Sequence, residues 1–153
     1  MTITPVPGSR LWAGARVAAA KTTSGVTWAD LAQALERSLV WSTSALLGQQ
    51  PLDANQANAA GGLLGLDDDV VAALQLPPDR GAEALDRTQP AIYRLEEAVQ
   101  VYGSAVAALM AEEFGDGIMS AIDFELDFAR VADPKGDRVV LTFNGKFLPY
   151  RVW

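Results

Sequence analysis

The chain contains no cysteine and no histidine. Without cysteine there can be no disulfide, no thiolate zinc site and no thiol nucleophile. Without histidine the commonest general base, the commonest zinc ligand and the Ser-His-Asp triad are all excluded. Basic residues are also scarce. Twelve Lys and Arg stand against 19 Asp and Glu, for a net charge of −7 and a pI near 4.5. That balance argues against a nucleic-acid partner, which needs clustered cations, and against an anionic membrane surface. No apolar run approaches the roughly 20 residues that span a bilayer. The start of the chain lacks the basic segment and apolar stretch of a secretion signal, so a cytoplasmic location is expected. Any chemistry must use Arg, Lys, Asp, Glu, Ser, Thr, Tyr or the backbone.

What is abundant is apolar material, half of the 153 residues. That is ample for a core, with a surplus of the kind that goes into subunit contacts. The first eighty residues read as about five short helices after an extended start at 1–8. Helices are expected over Ser9–Lys21, from Thr27 onward, over Trp41–Leu47, over Asn55–Leu64, and from Asp67 to the Pro77-Pro78 stop. Thr27 and Asp30 have the spacing of a helix cap. Trp28, Leu31, Ala32 and Leu35 follow the period of a buried helical face. Residues 81–89 read as a linker between a helical domain, 1–80, and a second domain, 90–153. In the second, Pro90 opens a long helix to about Glu113, and Gly115-Asp116-Gly117 stops it. Ile122, Phe124, Leu126 and Phe128 then alternate with acids as a strand does. Arg138–Phe143 and Phe147–Val152 read as two more strands, joined by an Asn144-Gly145 turn. The expected fold is α+β, a helical bundle followed by a long helix and a small antiparallel β unit. Three strands bury little, so Phe124, Leu126, Phe128, Phe147, Tyr150 and Trp153 should remain open for another chain.

Helix, short turn and helix over Thr27–Gln49 have the outline of the repressor-type helix-turn-helix. A DNA-binding regulator with an oligomerising tail is therefore the alternative reading. Charge opposes it, because Arg37 is the sole cation between Thr22 and Gln50 and groove reading needs phosphate anchors.

Two segments carry recognisable chemistry. One is Tyr93-Arg94-Leu95-Glu96-Glu97 with Gln100-Val101-Tyr102-Gly103. The other is Phe114-Gly115-Asp116-Gly117-Ile118-Met119-Ser120-Ala121-Ile122. Together with Ala45-Leu46-Leu47-Gly48-Gln49-Gln50 and Gly145-Lys146-Phe147-Leu148-Pro149-Tyr150, they closely resemble the signature stretches of cyanases, in matching order and spacing from about Thr27 onward. The resemblance implies a lyase that joins cyanate to bicarbonate and yields carbamate and carbon dioxide. It implies Arg94, Glu97 and Ser120 as the active residues and no metal or organic cofactor. It further implies a ring of five dimers, each intertwined through its C-terminal domain, with sites between subunits. Glu96 stands where the family often has an aromatic residue, and Glu125 where some relatives carry a base.

The residues make chemical sense of that expectation. Cyanate and bicarbonate are both anions, so a pocket must supply fixed positive charge and oriented donors. Arg94 offers a planar fork that stays protonated. Glu97, three residues on, shares its helix face and can hold the guanidinium. Glu96 lies beside it, and adjacency alone leaves open which acid faces the site. Ser120 and the N–H of Ala121 add donors after a glycine-rich bend. Nothing evident activates Ser120 as a nucleophile. Taken singly, each residue has an ordinary explanation: an Arg-Glu surface pair, a serine in a turn. Asp123, Glu125 and Asp127 read as the solvated face of a strand rather than a calcium site. A scaffold that keeps this fold without activity is a third possibility.

Overall fold

A computed structural model describes residues 4–81 and 85–153. Parts of the expected extended start (1–3) and of the expected linker (82–84) lie outside the described residues. Contacts divide the chain into two units, Met1–Ala82 with Asp127–Leu141, and Glu83–Leu126 with Thr142–Trp153.

Five helices lead: α1 (Arg10–Ser24), α2 (Trp28–Leu35), α3 (Leu39–Leu46), α4 (Ala54–Leu64) and α5 (Asp68–Ala73). Their starts follow from local side chains. The Thr27 hydroxyl accepts the Asp30 N–H at 3.1 Å while the Asp30 carboxylate takes the Thr27 N–H at 2.8 Å, which closes a capping box at α2. Asp53 and Gln56 make the same box at α4. Ser38 caps α3 through the Trp41 N–H, so that helix begins two residues before the expected Trp41. Leu31, Leu35, Leu46, Leu74, Val17 and Val70 form the fully buried centre. Each such side chain contributes about 2 kcal/mol by leaving water. Trp12, Trp28 and Trp41 pack at its margin.

Arg10 is buried, at 5% exposure. Its Nη2 donates to the Ala45 carbonyl and, at 3.0 Å, to the Gln50 carbonyl, placing a cation at the negative end of α3. Burial pulls its pKa down to about 10, so it stays charged at neutral pH.

The C-terminal elements are α6 (Pro90–Phe114), β1 (Gly117–Val131) and β2 (Arg138–Pro149). Pro90 sits at the first turn of α6, where its missing N–H costs nothing. No residue of α6 is buried within the chain. The Phe114 and Phe147 rings stack with centroids 5.1 Å apart, and the Tyr150 N–H reaches the Asp116 carbonyl at 3.1 Å.

The expectation of three strands is corrected here. Among the described residues the sheet has two, paired as β1–β2, and Asn144-Gly145 lies inside β2. The turn is Asp133-Pro134-Lys135-Gly136, closed by the Gly136 N–H on the Asp133 carbonyl at 3.0 Å. Proline at its second position and glycine at its fourth are the residues this turn type favours, and Gly136 takes φ +120°. Gly145 serves close approach instead. A Cβ there would lie 2.7 Å from the Ser120 carbonyl oxygen and against the Met119 side chain. Of the apolar face expected to stay open, Phe128, Tyr150 and Trp153 are exposed, while Phe124, Leu126 and Phe147 are half-buried.

Candidate functional site

Arg94 and Glu97 stand one turn apart on α6. Arg94 Nη1 donates to Glu97 Oε2 at 2.7 Å, a charge-assisted length. The guanidinium carbon lies 5.3 Å from the centroid of the Tyr93 ring, within cation–π reach. The two side chains are 70% and 47% exposed, so the pair adds at most a few tenths of a kcal/mol to folding. Its consequence is orientation. The carboxylate fixes one edge of the fork, and among the described residues the other guanidinium N–H groups have no hydrogen-bond partner.

The adjacent acids separate by partner. Glu96 Oε1 accepts Arg87 Nε at 2.9 Å, which leaves Glu97 as the acid on Arg94. Nothing in the sequence pointed to Arg87. It lies before Pro90, outside the helical spacing that pairs side chains three and four apart.

Ser120 is 3% exposed. Its Oγ accepts the Ile122 N–H at 3.0 Å and the Asp123 N–H at 2.9 Å. These bonds occupy the oxygen's acceptor directions and leave the O–H proton to be donated away from the strand. They also weaken Oγ as a nucleophile. Two glycines frame it. Gly145 faces Ser120 across the ladder, and at Gly117 a Cβ would meet the Leu148 carbonyl and the Phe147 ring. Neither Gly117 nor Gly145 has positive φ, so close strand approach, rather than a flexible bend, is what they supply. Ala121 follows and is exposed.

Among the described residues no hydrogen bond joins Ser120 to Arg94 or Glu97. A surface depression lined by Arg87, Leu95, Glu96, Val99 and Gln100 takes in none of the three. Asp123, Glu125 and Asp127 are exposed, and no group of three or more acids among the described residues could hold a metal ion.

With this geometry established, the chain can be compared with known proteins. Residues 85–152 match the family model described as the cyanate lyase C-terminal domain, and residues 10–78 match that of the N-terminal domain of cyanate hydratase. The chain belongs to the cyanate hydratase family. It is 50% identical over 137 residues to a cyanate hydratase of Mycobacterium avium, covering 89% of this chain and 88% of that one. To a cyanate hydratase of Thiobacillus denitrificans it is 54% identical over 127 residues, covering 82% and 86%. The crystal structure of a cyanase from T. urticae superposes with a TM-score of 0.79 at 38% identity, covering 90% of this chain and 97% of that one.

Family membership places the helix-turn-helix outline in a cyanate hydratase domain and does not favour the DNA-binding reading. The matched N-terminal domain contains α2 and α3. In α3, Leu39, Val40 and Trp41 are half-buried, and the helix has no Lys or Arg with which to anchor a phosphate.

Proposed function

We propose that this protein is a bicarbonate-dependent cyanate hydratase, with Arg94, Glu97 and Ser120 as its catalytic residues. The observation that carries the reading is the Arg94–Glu97 pair at 2.7 Å, on a helix within the matched cyanate lyase domain. Its guanidinium is preset to receive an anion. Ser120, with its acceptor directions occupied, supplies a directed O–H, and the Ala121 N–H adds a further donor.

A bicarbonate oxygen attacks the cyanate carbon, forming one C–O bond and placing electron density on nitrogen. That nitrogen takes the bicarbonate proton and one more from solvent. Glu97, held beside the Arg94 guanidinium, passes it. The bond between the bridging oxygen and the former bicarbonate carbon then breaks. Its electron pair stays on the oxygen, so carbon dioxide leaves and carbamate remains. Two anions and one proton thus become one anion and one neutral gas. Carbamate then takes another proton and decomposes to ammonia and carbon dioxide. The barrier is chiefly repulsion between like charges, and preorganised donors lower it. No metal or organic cofactor is invoked.

The exposed apolar residues of α6 and the hairpin favour a second copy of this chain as their cover, and beyond it a decamer of five intertwined dimers. Cyanate and bicarbonate are the partners assigned, with neither nucleic acid nor membrane. Among the described residues no helix is long and apolar enough to cross a membrane, and the cytoplasm is the compartment we assign.

The test is ammonia release from cyanate with and without bicarbonate. Release should require both anions. A protein that binds neither, or turns over cyanate equally well without bicarbonate, would sink the reading. A gel shift that weakens with salt would instead revive the DNA alternative.

A further inference from the structure

Gln49 and Gln50 were singled out as part of a signature stretch, and the chemistry above leaves them unused. Their surroundings suggest a task. The Gln50 backbone carbonyl is held by the buried Arg10 of α1 at 3.0 Å. Its side-chain Oε1 accepts Arg80 Nη2 at 3.2 Å. The neighbouring Gln49 Oε1 accepts the Gly81 N–H at 2.9 Å. Two residues on, the Leu52 N–H donates to the Leu74 carbonyl at 3.0 Å. The segment after α3 is therefore tied to the start of α1, to the end of α5, and to the first residues of the connection beyond Pro77-Pro78. Amide side chains that would read adenine edges in a DNA-binding protein have their acceptor oxygens engaged within the unit.

We propose that Gln49 and Gln50 are positioning residues that clamp Arg80 and Gly81 against the segment after α3, so that the start of the connection is already ordered when chains associate. Both bonds are surface bonds and individually modest. Acting on adjacent residues, they restrain a segment that has no regular structure of its own.

The clamp has an unusual readout. It holds both sides of the Arg80–Gly81 peptide bond, a trypsin site: the arginine side chain that the protease must bind and the amide nitrogen it must release. Arg87–Thr88, in the same connection, is a reference site whose arginine is paired with Glu96 and is untouched by the substitutions. Three full-length proteins are compared: the parent, Gln49→Leu/Gln50→Leu, which removes both acceptors at similar volume, and Gln49→Glu/Gln50→Glu, which keeps an acceptor at each position. Cleavage at Arg80–Gly81, followed by mass spectrometry and normalised to Arg87–Thr88, should rise about tenfold in the leucine protein through easier local opening. The glutamate protein should match the parent. Helical melting should change little, while self-association measured by sedimentation should weaken in the leucine protein and recover in the glutamate protein.

Equal cleavage in all three proteins would overturn the clamp. Faster cleavage with parental association would overturn its positioning role. That second readout rests on the self-association proposed above. A parent that sediments as a monomer would remove the assembly reading alone, leaving cleavage to decide the clamp. Should the double leucine protein fail to fold, amide exchange at Gly81 in Gln49→Leu alone gives the same answer.

Discussion

Arg94 and Ser120 differ in what they do for the folded chain, and substitutions can separate the two roles. Arg94 is exposed and its ion pair contributes little to stability, so Arg94→Ala should leave the melting temperature nearly unchanged. The same substitution should lower kcat/KM for cyanate by about 10² or more, the loss expected when a preorganised charge is removed from a transition state. Arg94→Lys keeps the charge and loses the fork, so its turnover should fall between those of the parent and the alanine protein. Near-parental rates in the alanine protein would remove Arg94 from the mechanism. Ser120 is coupled to the fold, because it is buried and its Oγ accepts two N–H groups. Ser120→Ala should cost about 1–3 kcal/mol in stability as well as activity, and unchanged stability would contradict the bonds described.

At the scale of elements, the α2 cap and the β hairpin each make a prediction. The Asp30 carboxyl is held below the usual range first by the Thr27 hydroxyl and then by the Thr27 N–H. A depressed native value means that the unfolded chain binds more protons in acid. The cap's contribution is therefore complete above the unfolded carboxyl value, about 4, and is lost as pH falls through the native one. Thr27→Ala should cost about 1 kcal/mol at neutral pH, and chemical denaturation across pH should show the gap to the parent closing in acid. A gap that widened below the carboxylate range would show the sign to be wrong. In the hairpin, Gly145→Ala would drive a methyl group to within 2.7 Å of the Ser120 carbonyl oxygen. Such overpacking costs about 1–3 kcal/mol and would displace Ser120, so on the role proposed for that residue stability and kcat should fall together.

The same two elements show how far the sequence could be read. The cap was legible because Thr27 and Asp30 complete it between themselves. Helix positions were likewise legible from period and punctuation. Asn144-Gly145 misled because a strand glycine and a turn glycine look alike until the opposite strand is known. The true turn, Asp133-Pro134-Lys135-Gly136, carries its own local signature and could have been found. Arg10 could not, since the carbonyls it holds lie 35 and 40 residues away and backbone acceptors leave no mark on sequence. At the site, the three-residue spacing of Arg94 and Glu97 was readable. That Glu96 turns to Arg87, and that Ser120 spends its acceptor capacity on its own backbone, required coordinates.

For the whole molecule, apolar exposure is concentrated in α6 and the hairpin. Val99 is 71% exposed and Ile122 is 99% exposed, while no residue of the longest helix is fully buried within its own chain. A surface like this is far beyond the scattered apolar residues that a monomer tolerates, which is why a second copy is assigned to it. It also fits the proposal of a shared site, since the surface depression described on α6 takes in none of Arg94, Glu97 and Ser120. Activity should then depend on association. Specific activity should fall on dilution along the same curve as the oligomer fraction measured by sedimentation, a mass-action effect. Val99→Asp, which places a charge within the assigned contact face and alters none of the three residues proposed as catalytic, should shift both curves together toward higher protein concentration, because burying an unpaired carboxylate is costly. If the two curves separated, with full turnover persisting in a species that sediments as a monomer, a single chain would hold a complete site and the shared-site proposal would fail.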